Sequence, residues 1–259
     1  MRLHILSDLH NEFARYSLPG DLDYDVLILA GDIDLEDAGV RWAVMSLKTP
    51  VVYIPGNHEY YSRTQNSIEA IDEKMERASS ASDVHVLKPG VVEIGGWRFV
   101  GATLWTDFQL YGSSVLDIDR AMDCARNRMN DYRLIYLDGE EGSSRRFTPE
   151  DAVERFQAEK QFLVDELGRG DPSKTVVITH FSPSPLAVPD EFNGDELSPA
   201  FNSNLDDVIE ASGVPLWVYG HSHRSMDFTI GQTRVLSNQR GYPREGRTGF
   251  NERLLVDVS

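Results

Sequence analysis

The pattern that most restricts how this chain can fold is a recurrence: short apolar runs of strand type, each ending on a polar residue able to bind a metal. Leu3-His4-Ile5-Leu6-Ser7 runs into Asp8 and His10, and Asp25-Val26-Leu27-Ile28-Leu29-Ala30-Gly31 runs into Asp32. Val51-Val52-Tyr53-Ile54-Pro55-Gly56 delivers Asn57 and His58, Thr175-Val176-Val177-Ile178-Thr179 delivers His180, and Pro215-Leu216-Trp217-Val218-Tyr219-Gly220 delivers His221 and His223. Unbroken apolar runs of this length suit strands buried on both faces, in sheets covered by helices. Ligands of such sheets lie outside the carboxyl ends of the strands, so these five ends imply one shared site.

Helix candidates lie between the runs. Residues 64–78 place Ile68, Ile71 and Met75 on one face, and residues 149–168 follow Thr148 as N-cap and stop near Gly168. Val84-His85-Val86-Leu87, Val91-Val92-Glu93-Ile94 and Trp97-Arg98-Phe99-Val100-Gly101-Ala102 read as hairpin strands. A second hairpin pattern spans 227–236, and a last strand covers 254–258. One domain over 1–259 is expected, with loop or cap insertions at about 104–148 and 181–204, the second at the mouth of the site.

A formal charge of −17 argues against affinity resting on a broad basic face, so extended nucleic acid and anionic membranes are not expected partners. A small anionic substrate then needs a local source of positive charge, and carboxylates gathered around cations account for part of the acidity. Cys124, the single cysteine, excludes an internal disulfide and a cysteine-rich zinc site. The first residues lack a signal-peptide apolar core, and no apolar run approaches the roughly 20 residues of a membrane span. A cytoplasmic protein is expected.

Any one of these pairs is a weak signal. In combination and in this order, Asp8-x-His10, Gly31-Asp32, Gly56-Asn57-His58-Glu59, His180 and Gly220-His221-x-His223 resemble the motif blocks of the calcineurin-like metallophosphoesterase superfamily across residues 7–223. The resemblance implies a four-layer α/β/β/α sandwich with two mixed central sheets. It also implies two divalent metal ions, one held by Asp8, His10, Asp32 and His223, the other by Asp32, Asn57, His180 and His221, with Asp32 bridging. Mixed carboxylate, amide and imidazole donors suit Mn²⁺ first, with Fe, Zn or Ni as alternatives. Two cations roughly 3.5–4 Å apart can bridge a hydroxide for in-line attack on phosphate. Asp32 is thus a catalytic as well as a ligating residue.

By the same resemblance His58 is the acid that protonates the leaving group. Many members of the superfamily orient that histidine with an acid at the position of Leu35, here flanked by Asp34, Glu36 and Asp37. The expected substrate is a small phosphoester, with a phosphodiester ahead of a monoester because no extra basic cluster is evident to clamp a dianion. A phosphomonoesterase, a nucleotide pyrophosphatase or a non-catalytic scaffold on the same fold are the alternatives. Asn57 and Arg240 are candidate substrate contacts, Arg240 and Asn238 standing either near a phosphate or in a surface turn. Trp105, Phe108 and Tyr111 either stack on a substrate ring or pack the core. His4 and His85 read as structural.

Overall fold

In the computed structural model, which describes residues 1–246 and 248–259, the chain begins β1 (Arg2–Leu6), β2 (Val26–Ala30), α1 (Ala38–Ser46), β3 (Val51–Ile54), α2 (Ile68–Ser79), β4 (Val84–Val86). β5 (Gly90–Ile94) and β6 (Trp97–Ala102) follow, then α3 (Val115–Arg128), α4 (Asp131–Leu134), β7 (Tyr136–Asp138), β8 (Ser144–Arg146) and α5 (Pro149–Leu167). Next come β9 (Thr175–Thr179), α6 (Asp206–Ser212), β10 (Leu216–Tyr219), β11 (Asp227–Ile230), β12 (Thr233–Ser237) and β13 (Leu255–Asp257).

Two mixed sheets result. The first has the order β13-β1-β2-β3-β4 and is parallel except at β13. The second has the order β11-β12-β10-β9-β6-β5, parallel at its centre and antiparallel at both edges. Alternation along the strands sorts their side chains. Leu3, Ile5, Val26, Ile28, Val52 and Ile54 of the first sheet meet Phe99, Val176, Ile178, Leu216 and Val218 of the second in one apolar layer. Burying each such aliphatic side chain contributes about 1.5–3 kcal/mol. The intervening Leu27, Leu29, Val51 and Tyr53, with Val100, Val177 and Trp217 opposite, belong to the core under the helices. The result is the expected four-layer α/β/β/α sandwich.

Three expectations need correction. Val84–Val86 does not join a hairpin: it pairs parallel with β3, satisfying an edge that would otherwise be open, and only β5 and β6 form the hairpin. Residues 104–148 are not a loop, because they hold α3, α4 and the β7–β8 ribbon. α3 escapes a periodicity reading because it buries only Ala121 and Ala125 while leaving Val115 and Leu116 exposed. α2 starts at Ile68 rather than 64, since the Ser67 side chain accepts from Ala70 N and caps the helix there. The Thr148 capping box starts α5 as read. Among the described residues no helix is long and apolar enough to cross a membrane.

Candidate metal centre

Every residue singled out as a ligand lies just beyond a strand end, and the backbone there is unusual. Asp8, His10, Asp32, His221 and His223 all have positive φ, between 46° and 76°, and they are five of the nine described non-glycine residues that do. Left-handed backbone at a residue with a side chain is held only where the surroundings over-determine it. Here Asp8 N donates to Gly31 O at 2.9 Å, His10 N to Asp32 O at 3.0 Å, and His221 N to Asp8 Oδ1 at 3.0 Å. Gly56 is required by closeness: a Cβ there would lie 2.2 Å from Asp32 Oδ1.

The side chains converge. Ligand-capable atoms of Asp8, His10, Asp32 and His223 lie within 4.8 Å of one another, and so do those of Asp32, His180 and His221. Asn57 Oδ1 is 3.1 Å from His180 Nε2, joining the second group. Three imidazoles are aimed in the same way, with Nδ1 held from outside and Nε2 turned inward. Nδ1 of His10 meets Glu12 Oε1 at 3.0 Å, that of His180 meets Ala30 O at 2.9 Å, and that of His223 pairs with Glu245. His221 is packed between the rings of Phe181 and Phe201, and its buried Nε2 has no partner.

The electrostatics fit a cation. Burial pushes the carboxyls of Asp8 and Asp32 up, with the neighbouring Glu59 and Asp8 carboxylates adding to the effect at Asp32. Burial also pushes His10, His180 and His221 down, keeping those imidazoles neutral and able to offer lone pairs. Buried carboxylates, neutral imidazoles and an orphaned nitrogen form a donor set that divalent metal satisfies.

His58 follows β3 in a short 3₁₀ turn, its backbone N donating to Asp32 Oδ1 at 2.9 Å. Its orienting acid is Glu12, whose Oε1 lies 2.8 Å from His58 Nδ1. Burial alone would raise the Glu12 carboxyl, but its hydrogen bonds to His10 and His58 hold it down at about 2. The acids flanking Leu35 are engaged elsewhere, Asp34 with Leu35 N, Glu36 with Lys74 and Ser62, and Asp37 with Arg41. His58 Nε2 faces the cavity, 3.1 Å from the Tyr242 hydroxyl.

The structure gives four further residues besides Glu12 a supporting role that sequence reasoning did not assign. Buried Glu59 accepts from the backbone N of Asp32, Ile33 and Gly56 and from Tyr53 OH, tying the β2 and β3 ends together. Asp131 accepts from Asn57 Nδ2 at 3.0 Å and from Tyr61 OH at 2.5 Å, turning the Asn57 oxygen inward. Tyr242 packs its ring on His10 and His223, and Glu245 braces His223. Glu59, beside His58 in its motif block, and Glu12, two residues beyond His10, carried a local signal.

Other candidates fall outside the site. Arg240 does not line the cavity, because its guanidinium donates to Leu9 O and Ala14 O, both at 2.7 Å. Asn238 is buried and braces Ile5 O and Asn251 O. Trp105 and Phe108 are buried in the core, and Tyr111 braces Gly194 N. His4 is buried in β1 with Nδ1 on Leu254 O.

A cavity of about 390 Å³ opens from Asp32, Asn57, His58, His221 and His223. Residues 128–131 and several from 189–202 wall it.

Residues 1–225 match a model of the calcineurin-like phosphoesterase family. An uncharacterized protein of Acanthamoeba polyphaga mimivirus is 24% identical over 99% of this chain and 96% of its own length. The phosphopantetheinyl hydrolase of Mycobacterium tuberculosis shares the fold, with a TM-score of 0.68 and 23% identity over 93% of this chain and 90% of that one. The chain belongs to the calcineurin-like phosphoesterase family and is a metal-dependent phosphoesterase.

Proposed function

We propose that this member of the calcineurin-like phosphoesterase family is a dinuclear phosphodiesterase acting on small substrates, with Mn²⁺ as its working metal. The observation that carries the reading is the position of Asp32, which belongs to both groups of converging ligand atoms. On this reading Asp8, His10, Asp32 and His223 hold one cation, and Asp32, Asn57, His180 and His221 hold the other. When bound, the two cations supply an activated water and neutralise charge on the phosphate oxygens during in-line displacement.

The chain's own groups do the rest. Glu12 accepts from Nδ1–H of His58, and in the imidazolium form the Nε2–H is the proton offered to the departing alkoxide. Tyr242 OH, 3.1 Å from that nitrogen, keeps the ring aimed into the cavity until substrate replaces the contact. Asp131 fixes the Asn57 amide so that its oxygen faces inward. A diester is favoured because Arg128, the only Lys or Arg among the described cavity-lining residues, is paired with Asp195 and leaves no side-chain cation for a second phosphate charge. The insertions serve as the cap of one domain, and with −17 overall the partner is a small ester rather than a polymer. The single Cys124 is in keeping with a reducing cytoplasm.

Mn²⁺-supplied protein should hydrolyse bis(p-nitrophenyl) phosphate with higher kcat/KM than p-nitrophenyl phosphate, and should carry close to two metal ions per chain by elemental analysis. A phosphopantetheinyl ester belongs in the substrate panel, given what the fold relative is named for. One metal at saturation, or a clear monoester preference, would sink the corresponding half of the reading.

A further inference from the structure

The cavity extends past the ligand cluster into a sector that the phosphate does not need. At about 390 Å³ it sits in the roughly 300–1,000 Å³ range of small-molecule sites. Met129, at the end of α3, forms one side of the outer part, and Pro189, Phe192, Leu197 and Phe201 form the other. Phe201 is seated on the His221 ring at 4.6 Å, so the apolar wall begins directly beside the candidate ligands. Phe192 is half exposed, a large apolar face open to whatever enters.

The charges in this sector point the same way. Arg128 lies 3.8 Å from Asp195, itself on the wall. The other lining carboxylates outside the ligand set, Asp131 and Glu245, stand at the ligand cluster, on Asn57 and His223. An anionic group on the distal part of a substrate would meet an apolar wall whose one lining cation, Arg128, is already paired with Asp195. An uncharged apolar group would instead cover Phe192, Leu197 and Pro189.

Resting on the phosphoesterase reading above, we infer that the group esterified to the scissile phosphate is an uncharged alcohol whose distal end is apolar, and that the outer wall centred on Phe192 is its binding site. This separates the substrate from nucleoside polyphosphates and oligonucleotides, whose further phosphates would find on this wall only a cation already paired with Asp195.

Affinity for phosphonates, which are not hydrolysed, tests the wall. Mn²⁺-loaded protein would be titrated with benzylphosphonate, 4-carbamoylbenzylphosphonate and 4-carboxybenzylphosphonate, the amide separating polarity from charge. The carboxylate should bind at least about tenfold more weakly than the benzyl compound, with the amide between them. Phe192→Ala should weaken benzylphosphonate by about three- to tenfold while leaving inorganic phosphate unaffected, and in turnover its effect should appear in KM rather than kcat. Asp195→Lys should narrow or reverse the discrimination against the carboxylate. Equal or tighter binding of the carboxylate, or an unmoved benzyl affinity in Phe192→Ala, overturns the inference. Failure of the Mn²⁺-loaded protein to hydrolyse any ester overturns the phosphoesterase reading instead, and the titration still decides the wall.

Discussion

Asp32, His221 and His223 line the cavity at strand ends with left-handed backbone. Met129, Pro189 and Leu197 line the same cavity at turns with ordinary φ of −89°, −62° and −89°. The cavity floor therefore holds several residues that each cost on the order of 1–3 kcal/mol in backbone strain, and the wall holds none of them. Strain of that size persists because two sheets and Glu59 clamp the floor. The wall rests on short 3₁₀ turns, with Arg224 and Glu191 paired across its outer edge. On the proposed reading, the chemistry would sit on the strained floor and the substrate contact on the unstrained wall.

This contrast can be broken most directly at the floor. Asp32→Asn should lower kcat/KM by on the order of 10³-fold or more, and elemental analysis should show metal lost with it. Retained metal and activity would remove the floor from the chemistry altogether. His58→Ala should cost about 10²-fold in kcat with metal content preserved, since the imidazole is held by Glu12 and Tyr242 and is not counted among the ligands. If the variant loses its metal, the division between ligand and acid is misplaced. Glu12→Ala should reduce kcat by about tenfold, because it frees the Nδ1 atoms of both His10 and His58.

A further effect, on stability rather than turnover, concerns what joins floor to helices. Glu159 of α5 is buried and accepts from Leu104 N, and burial pushes its carboxyl up to about 7. A carboxyl raised on folding binds its proton more tightly in the native state, so stability is greatest below the unfolded value near 4.5 and declines as pH rises to about 7. A shift of this size corresponds to a decline on the order of 3 kcal/mol. Denaturant midpoints of Glu159→Gln across that window should show a flatter slope than the parent, and parallel slopes would remove Glu159 as the cause.

The floor was legible before any coordinates because its residues recur in one local arrangement, an apolar run followed by a donor, and because strand ends in such sheets converge. Residue type and order sufficed for Asp8, His10, Asp32, Asn57, His180, His221 and His223 to be brought together. The supports were not legible for a physical reason. Asp131 reaches Asn57 across 74 positions and Glu245 reaches His223 across 22, through contacts that no period in the sequence encodes. Arg240 misled because a guanidinium near a strand end suits phosphate and backbone carbonyls equally, and two carbonyls were closer. α3 was hidden by its small buried residues, and with it Met129 and Arg128 of the wall.

The distribution of the proposed ligands between the sheets couples metal occupancy to the cooperativity of the whole molecule. Asp8, His10, Asp32 and Asn57 follow strands of one sheet, and His180, His221 and His223 follow strands of the other. Occupancy at 100 times Kd adds about 2.7 kcal/mol against any opening that parts the two sheets, and adds nothing against fraying of an edge such as β5 or β11. Cation binding at the proposed ligands would thus act as a fastener across the apolar interlayer, with slower amide exchange in β1, β2, β9 and β10 on metal addition as its expected signature.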